Sequence, residues 1–221
     1  MKKELRHYLG RAFGGTFVVY GAGVALAFGS QVLLTRLLGA DQYGNYYFVL
    51  AWIMAQLIVA KLGLDSALLR FVPAYLTRQQ GGLLKGSLRW SASKAAWASL
   101  LTAGMLAVVV TLMPDIGSGL AQTFYLGCVV LLLLVYVYLR SALLRSLKHV
   151  VLALLPEAVI APLVLGVSII LYWWLVDSDL NSVHAMAATL AGLIVSAVVG
   201  LSLIHISEPT RPRRQSRMPS S

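Results

Sequence analysis

Chemistry in this sequence rests on a few ionisable residues set in an apolar background: Arg36, Lys61, Asp65, Arg70 and Glu157. Arginine presents planar, bidentate donors that match phosphate oxygens, so Arg70 reads as a phosphate ligand at the mouth of a cavity. The plainer reading of Asp65 and Arg70, five apart, is a surface pair or a set of helix-end charges. Arg36 stands apart from the other bases and reads as a substrate contact; the plainer reading has it snorkel to an interface and pair with Asp41. Lys61 and Glu157 lie within or near long apolar runs, where an ionisable group is by default a functional hypothesis, ion coupling in the case of Glu157. Glu157 follows Pro156, so a first-turn helix position favoured by the macrodipole explains it more simply.

Nothing else in the chain supports catalysis. Walker A, H-E-x-x-H, C-x-x-C and G-x-S-x-G patterns do not occur, which leaves ATP coupling and metal hydrolysis without support and predicts no cofactor, no metal and no enzyme. Gly21-Ala22-Gly23 begins a dinucleotide pattern, but Leu26 stands where its third glycine belongs, and no βαβ context surrounds it. The single cysteine, Cys128, excludes an intrachain disulfide and reads as a small buried apolar residue.

The elements that must position these residues follow from composition: 59% hydrophobic, 12% charged, mean hydropathy +0.80. A soluble domain carries about 25% charged residues, so no water-facing surface can be built from this chain. Apolar runs cover approximately residues 14–35, 43–64, 93–113, 120–139, 152–176 and 183–204. Each is long enough for a helix rising about 1.5 Å per residue to cross about 30 Å of hydrocarbon. Lipid leaves backbone groups no outside partner, so continuous runs of this length predict helices and not barrel strands. The fold class is therefore all-α, a polytopic membrane protein with six spans. Gly21, Ala25 and Gly29, four apart, predict a small-residue face for close packing of the first span.

The net charge of +10 is distributed by side. Lys2, Lys3, Arg6 and Arg11 precede the first run; Lys61, Arg70, Arg78, Lys85, Arg89 and Lys94 surround the second connection; Arg140, Arg145 and Lys148 follow the fourth run. The intervening connections hold Arg36 with Asp41, Asp115, Asp177 and Asp179. This is a positive-inside pattern that places residues 1–13 in the cytoplasm, and it is topological, not a nucleic-acid footprint. Ala25-Leu26-Ala27 after a basic start imitates a secretory cleavage site, but the apolar stretch continues far beyond it, as an uncleaved first helix does. Residues 65–92 alternate apolar and basic side chains, suited either to the inner leaflet surface or to an ordinary cytoplasmic linker; Pro73 and Gly81-Gly82 predict short helical pieces.

The end of the chain has a different character. Leu201 to Arg211 resembles, residue for residue, a translated sequencing-library transposase adapter, and Ser216 to Ser221 resembles its downstream portion, with Pro212 to Gln215 at index length between them. Residues 201–221 are accordingly expected to be a non-native tail, with native sequence ending near Gly200 in the sixth span. Without Arg211, Arg213, Arg214, Arg217 and Glu208 the net charge falls from +10 to +7.

Three loop segments carry a family resemblance. Arg36-Leu37-Leu38-Gly39-Ala40-Asp41-Gln42-Tyr43-Gly44 resembles the R-L-L-G-x-x-x-Y-G joint after the first helix of bacterial polysaccharide and oligosaccharide flippases. Gly63-Leu64-Asp65-Ser66-Ala67-Leu68-Leu69-Arg70 is similar to the G-L-D-x-A-x-x-R segment ending their second helix. Leu139-Arg140-Ser141-Ala142-Leu143-Leu144-Arg145-Ser146-Leu147-Lys148, then Leu155-Pro156-Glu157, resembles the passage from their fourth helix into the fifth.

The resemblance implies membership of the multidrug, oligosaccharidyl-lipid and polysaccharide exporter superfamily, whose members arrange twelve to fourteen helices in two six-helix lobes. This chain would supply the first lobe and lack the C-terminal one. It implies transport of an undecaprenyl-diphosphate-linked glycan across the bacterial cytoplasmic membrane by alternating access, with membrane lipids, the glycan lipid and the second lobe as partners. An arginine like Arg36 occurs after the first helix of murein-precursor flippases, so Arg36 and Arg70 would hold the diphosphate. Two other readings remain: a cation-coupled drug exporter, for which Glu157 is the one candidate acid, and a membrane-embedded glycan polymerase or ligase, disfavoured by outer loops of only a few residues.

Overall fold

A computed structural model describes residues 2–147, 150–176 and 180–207, with side chains at 14, 16–147, 150–175 and 180–202. Lys148, Asp177, Asp179 and the tail beyond 207 lie outside the described residues, and with them most of the adapter-like segment. The described elements are helices: α1 (Lys2–Lys61), α2 (Leu64–Thr77), α3 (Gly81–Leu112), α4 (Ser118–Ser146), α5 (Val150–Leu155), a π-helical turn (Pro156–Ile160), α6 (Ala161–Val176) and α7 (Ser182–Ser207). Five helical stretches among them are long and apolar enough to cross a membrane: Thr16–Lys61, Gly81–Leu112, Ser118–Ser146, Val150–Leu175 and Ser182–Ser202.

The first stretch, of 46 residues, would measure about 70 Å if straight, twice what a bilayer requires. It is not straight. Gly39 has φ 74 and ψ 170, a conformation open to glycine and costly for any residue with a Cβ. A single cavity touches both Ala27 and Met54, which a straight helix would hold about 40 Å apart. The two arms, 2–38 and 40–61, therefore fold back on one another at Gly39. The expected joint between the first two apolar runs shrinks to one residue because Gly39 alone supplies the reversal.

Central α4 packs against α1, α2, α3, α5 and α7. The core gathers Leu34, Val49, Ile53, Leu131, Ile169 and Met186. Outward faces are equally apolar: Phe17, Ile58, Leu112 and Trp174 are 73–80% exposed, the surface expected where lipid replaces water.

Contact faces differ from expectation on the first arm. Gly21, Ala25 and Gly29 point away from the bundle, and nothing lies within 4 Å of a Cβ built on Gly21 or Gly29. The close approach is at buried Gly23, where a Cβ would stand 2.6 Å from the Ala158 carbonyl oxygen. That carbonyl is unusual, since its ordinary helical donor four residues on is Pro162, which has no N–H. Gly192 of α7 approaches the neighbouring carbonyl of Ala161 in the same way, a built Cβ falling 2.8 Å from its oxygen. Ser30 Oγ donates to the Pro162 carbonyl at 2.9 Å.

The expectation that Glu157 begins a helix is also corrected. The helix starts at Val150 and runs through Glu157, so the N-terminal dipole is a full α5 away. Pro156 cannot donate to the carbonyl four residues back, and the chain absorbs the mismatch as a π-turn in which the Ala161 N–H bonds the Pro156 carbonyl. Similarly, α2 runs through Pro73 without interruption, and Gly81-Gly82 open α3 instead of breaking a linker helix.

Candidate functional site

Polar groups gather at the two ends of the bundle and in its middle. At one end Gly39 turns the chain, Gln42 Oε1 accepts from the Ser182 N–H at 3.1 Å, and the Thr123 and Ser182 hydroxyls meet at 2.9 Å. The opposite end is built by the reversal after Lys61, where Gly63 has φ 68. There Lys61 Nζ donates to Asp65 at 2.9 Å and sits 4.8 Å from the Tyr138 ring. The i,i+4 partner of Asp65 is thus Lys61, not Arg70. Burial pushes the Asp65 pKa up, but the Lys61 hydrogen bond, the Ser66 N–H and the Lys61 charge outweigh it and hold the carboxyl below its ordinary value.

Arg36 and Arg70 are both exposed, and they occupy opposite ends. Arg36 sits three residues before the Gly39 turn; among the described residues it forms no ion pair, with Asp41 or otherwise. Arg70 lies on α2, whose Leu68 and Val72 pack on Ala142 near the end of α4, and its guanidinium rests 5.8 Å from the Phe71 ring. The arm 40–61 between them spans about 33 Å, so the structure does not bring these arginines to one diphosphate.

In the middle, a cavity of about 320 Å³ between both arms of α1, the π-turn, α6 and α7 is lined by Glu157, Ser30, Gln31, Tyr46, Tyr47 and Thr189 among apolar side chains. The Tyr46 and Thr189 hydroxyls meet at 2.8 Å, and Tyr47 packs edge-on to Tyr46 at 5.3 Å. Glu157 Oε1 is buried without a hydrogen-bond donor among the described residues. A larger cavity, about 580 Å³, opens between α3 and α4 beside α2; its walls are apolar except for Ser91, Ser99, Tyr136 and Arg140.

Arg140 is the residue that sequence reasoning left among the topological bases. It is 4% exposed, inside α4, and its Nη1 donates to the carbonyls of Ser196 and Ala197 on α7 at 3.0 and 3.2 Å. Gly200 makes room, because a Cβ there would overlap the guanidinium. Arg140 Nε and Nη2, Gln56 Oε1 and Ser196 Oγ are, like Glu157 Oε1, buried and unpartnered. The signal in the sequence is that apolar Ala142, Leu143 and Leu144 continue the fourth run past Arg140, placing it inside the helix instead of beyond its end.

The apolar bundle thus holds a buried arginine, a half-buried glutamate and two cavities, and ionisable groups at such depth mark a candidate functional site. Over residues 9–214 the chain matches the family described as Polysaccharide biosynthesis protein. No curated protein and no solved structure shows a significant match. With nearly its whole length covered by that match, and with helices suited to crossing a bilayer, this chain is a membrane protein that belongs to the polysaccharide biosynthesis protein family.

Proposed function

We propose that the chain is a six-span lobe of a two-lobed transporter that moves lipid-linked oligosaccharide or polysaccharide precursors across the bacterial cytoplasmic membrane by alternating access. The observation that carries this reading is the family match over residues 9–214 on a chain of apolar helices. Counting the folded-back arms of α1 separately gives six crossings, an even number, with the basic connections on one side and the N-terminus in the cytoplasm. A second lobe would complete the central cavity, since rocking transport needs two bodies around one site.

Glu157 is the ion-coupling candidate: it is an acid within an apolar helical stretch, it lines a cavity, and its Oε1 is buried without a hydrogen-bond partner among the described residues. Arg36 and Arg70, one at each end, suit successive contacts with a diphosphate as it enters and leaves, not a shared clamp. The function requires no enzyme activity; the partners are the glycan lipid, membrane lipids and the second lobe, with no nucleic acid.

The test is complementation of a flippase-deficient strain by this chain and by a version carrying a second lobe, with membrane levels matched. Rescue only by the two-lobed protein is the expected result. Rescue by this chain alone, with crosslinking through Cys128 showing a monomer, would refute the two-lobe reading.

A further inference from the structure

The cavity of about 580 Å³ between α3 and α4 shares no lining residue with the central one. Its size falls within the range of about 300–1,000 Å³ found for small-molecule sites. Its walls run from Leu88 to Leu100 on α3 and from Leu143 to Leu132 on α4, about 18 Å along the helices. One leaflet holds about 15 Å of hydrocarbon, so the groove has the length of an acyl chain lying in its own leaflet. The surrounding surface agrees: Trp97, Leu101 and Met105 of α3 are 63–70% exposed, as suits helices whose neighbour is lipid.

Cationic groups stand at one end of this groove. With 29 residues, α4 measures about 44 Å, the thickness of a bilayer of about 40–45 Å with its headgroup layers. Arg140 lies about 9 Å before the end of α4 at Ser146, near the boundary between headgroups and hydrocarbon. It lines the cavity, and while two α7 carbonyls hold its Nη1, Nε and Nη2 have no partner among the described residues. Those two nitrogens form one edge of the guanidinium, the parallel donor pair that fits two phosphate oxygens. Both are buried, so a headgroup reaches them by displacing a side chain of the groove wall. Lys85 and Arg89, both exposed, continue the α3 face of Ala92 and Ala96 at spacings of three, four and seven, which sets two further cations beyond the same end. Among the described residues no carboxylate lines the cavity. Basic pockets of this kind between membrane helices suit anionic headgroups.

We propose that the groove between α3 and α4 is a site for one anionic membrane phospholipid. An acyl chain lies along the two helices, the phosphate takes the free edge of Arg140, and Lys85 and Arg89 attract the headgroup from the surface. The lipid answers two donors that are otherwise unpaired in the core, and through Arg140 it ties α3 and α4 to α7. This site is separate from the central cavity and independent of what the protein transports.

The test is native mass spectrometry of the full 221-residue chain in detergent micelles, titrated with dioleoylphosphatidylglycerol, dioleoylphosphatidylcholine or glycerol phosphate. One phosphatidylglycerol should bind saturably, at least about fivefold more tightly than phosphatidylcholine. Glycerol phosphate, an anion without a chain, should not displace it. Ala96→Trp fills the groove from an exposed position with Arg140 intact and should abolish saturable binding. Arg140→Gln should weaken it about tenfold or more, and Lys85→Gln and Arg89→Gln about fivefold each. Lys94→Gln, on the opposite face of α3, should leave it unchanged. Equal affinity for the two lipids, full binding by Ala96→Trp, displacement by glycerol phosphate, or a loss in Lys94→Gln as large as in Arg89→Gln would overturn the proposal. Should Arg140→Gln fail to fold, Ala96→Trp and Arg89→Gln decide the same question.

Discussion

Substituting alanine at Gly23 and at Gly21, in separate variants, sets two nearly identical changes against two different surroundings. At Gly23 the new Cβ falls 2.6 Å from the Ala158 carbonyl oxygen and 2.8 Å from the Ala158 Cβ, where ordinary contact begins at 3.4 Å. The first arm must retreat by most of an ångström from the π-turn. Overpacking of this kind costs about 1–3 kcal/mol. At Gly21 nothing lies within 4 Å, so the substitution meets no resistance. Both variants gain the same helix preference of alanine over glycine, about 0.5–1 kcal/mol. That gain cancels between them, and the difference in stability is the overpacking cost alone, about 1–3 kcal/mol. For a chain of 150–250 residues this separates the two Tm values by about 2–12 °C, Gly23→Ala being the lower. Helical circular dichroism during heating in detergent micelles measures it. If Gly23→Ala were as stable as Gly21→Ala, the packing face would be the one expected from the Gly21, Ala25, Gly29 spacing, and the placement of the first arm against the π-turn would be wrong.

Two further outcomes follow from the ends of the bundle. Because the folded-state pKa of Asp65 is lowered, its pairing with Lys61 contributes stability above the unfolded carboxylate value and loses it as pH falls through the folded one. Lys61→Met should therefore flatten the acid limb of the stability profile by about 0.3–0.5 kcal/mol, and an unchanged limb would show that the pair contributes nothing. Reporter fusions after Ala40 and Ser118 should read as outside and those after Gly82 and Ser146 as inside; two reversed positions would defeat the proposed orientation.

The crossing segments were legible because length and apolarity suffice to mark them, and bilayer thickness fixes the scale. Which face of each helix meets a neighbour was not legible. In a soluble helix the polar stripe reveals the outside, but here both faces are apolar, and Gly21 and Gly23 differ only in what stands opposite them. The Gly39 reversal was visible as a glycine between two runs. The π-turn was not, because Pro156-Glu157 fits a helix start equally well until the preceding residues are seen to be helical. Arg140 was counted correctly as basic but misplaced, since its partners, the carbonyls of Ser196 and Ala197, belong to a helix more than fifty residues away.

The π-turn has a consequence for how this segment tolerates change in length. It holds one residue more than an α-helical turn, and each residue corresponds to about 100° of rotation around the axis. Pro156 opens the turn and Pro162 stands just beyond it, so the surplus residue is confined between two positions that cannot donate. Deleting any one residue from 157–161 would let regular hydrogen bonding close up while turning the contact face of α6 by about 100° relative to α5. The carbonyls that Gly23 and Gly192 approach would no longer face those glycines, and Glu157, if kept, would leave its cavity or lose its neighbours. A deletion that makes the local helix more regular would thus take the bundle out of register, so this short stretch should be among the least tolerant of insertions and deletions in the chain.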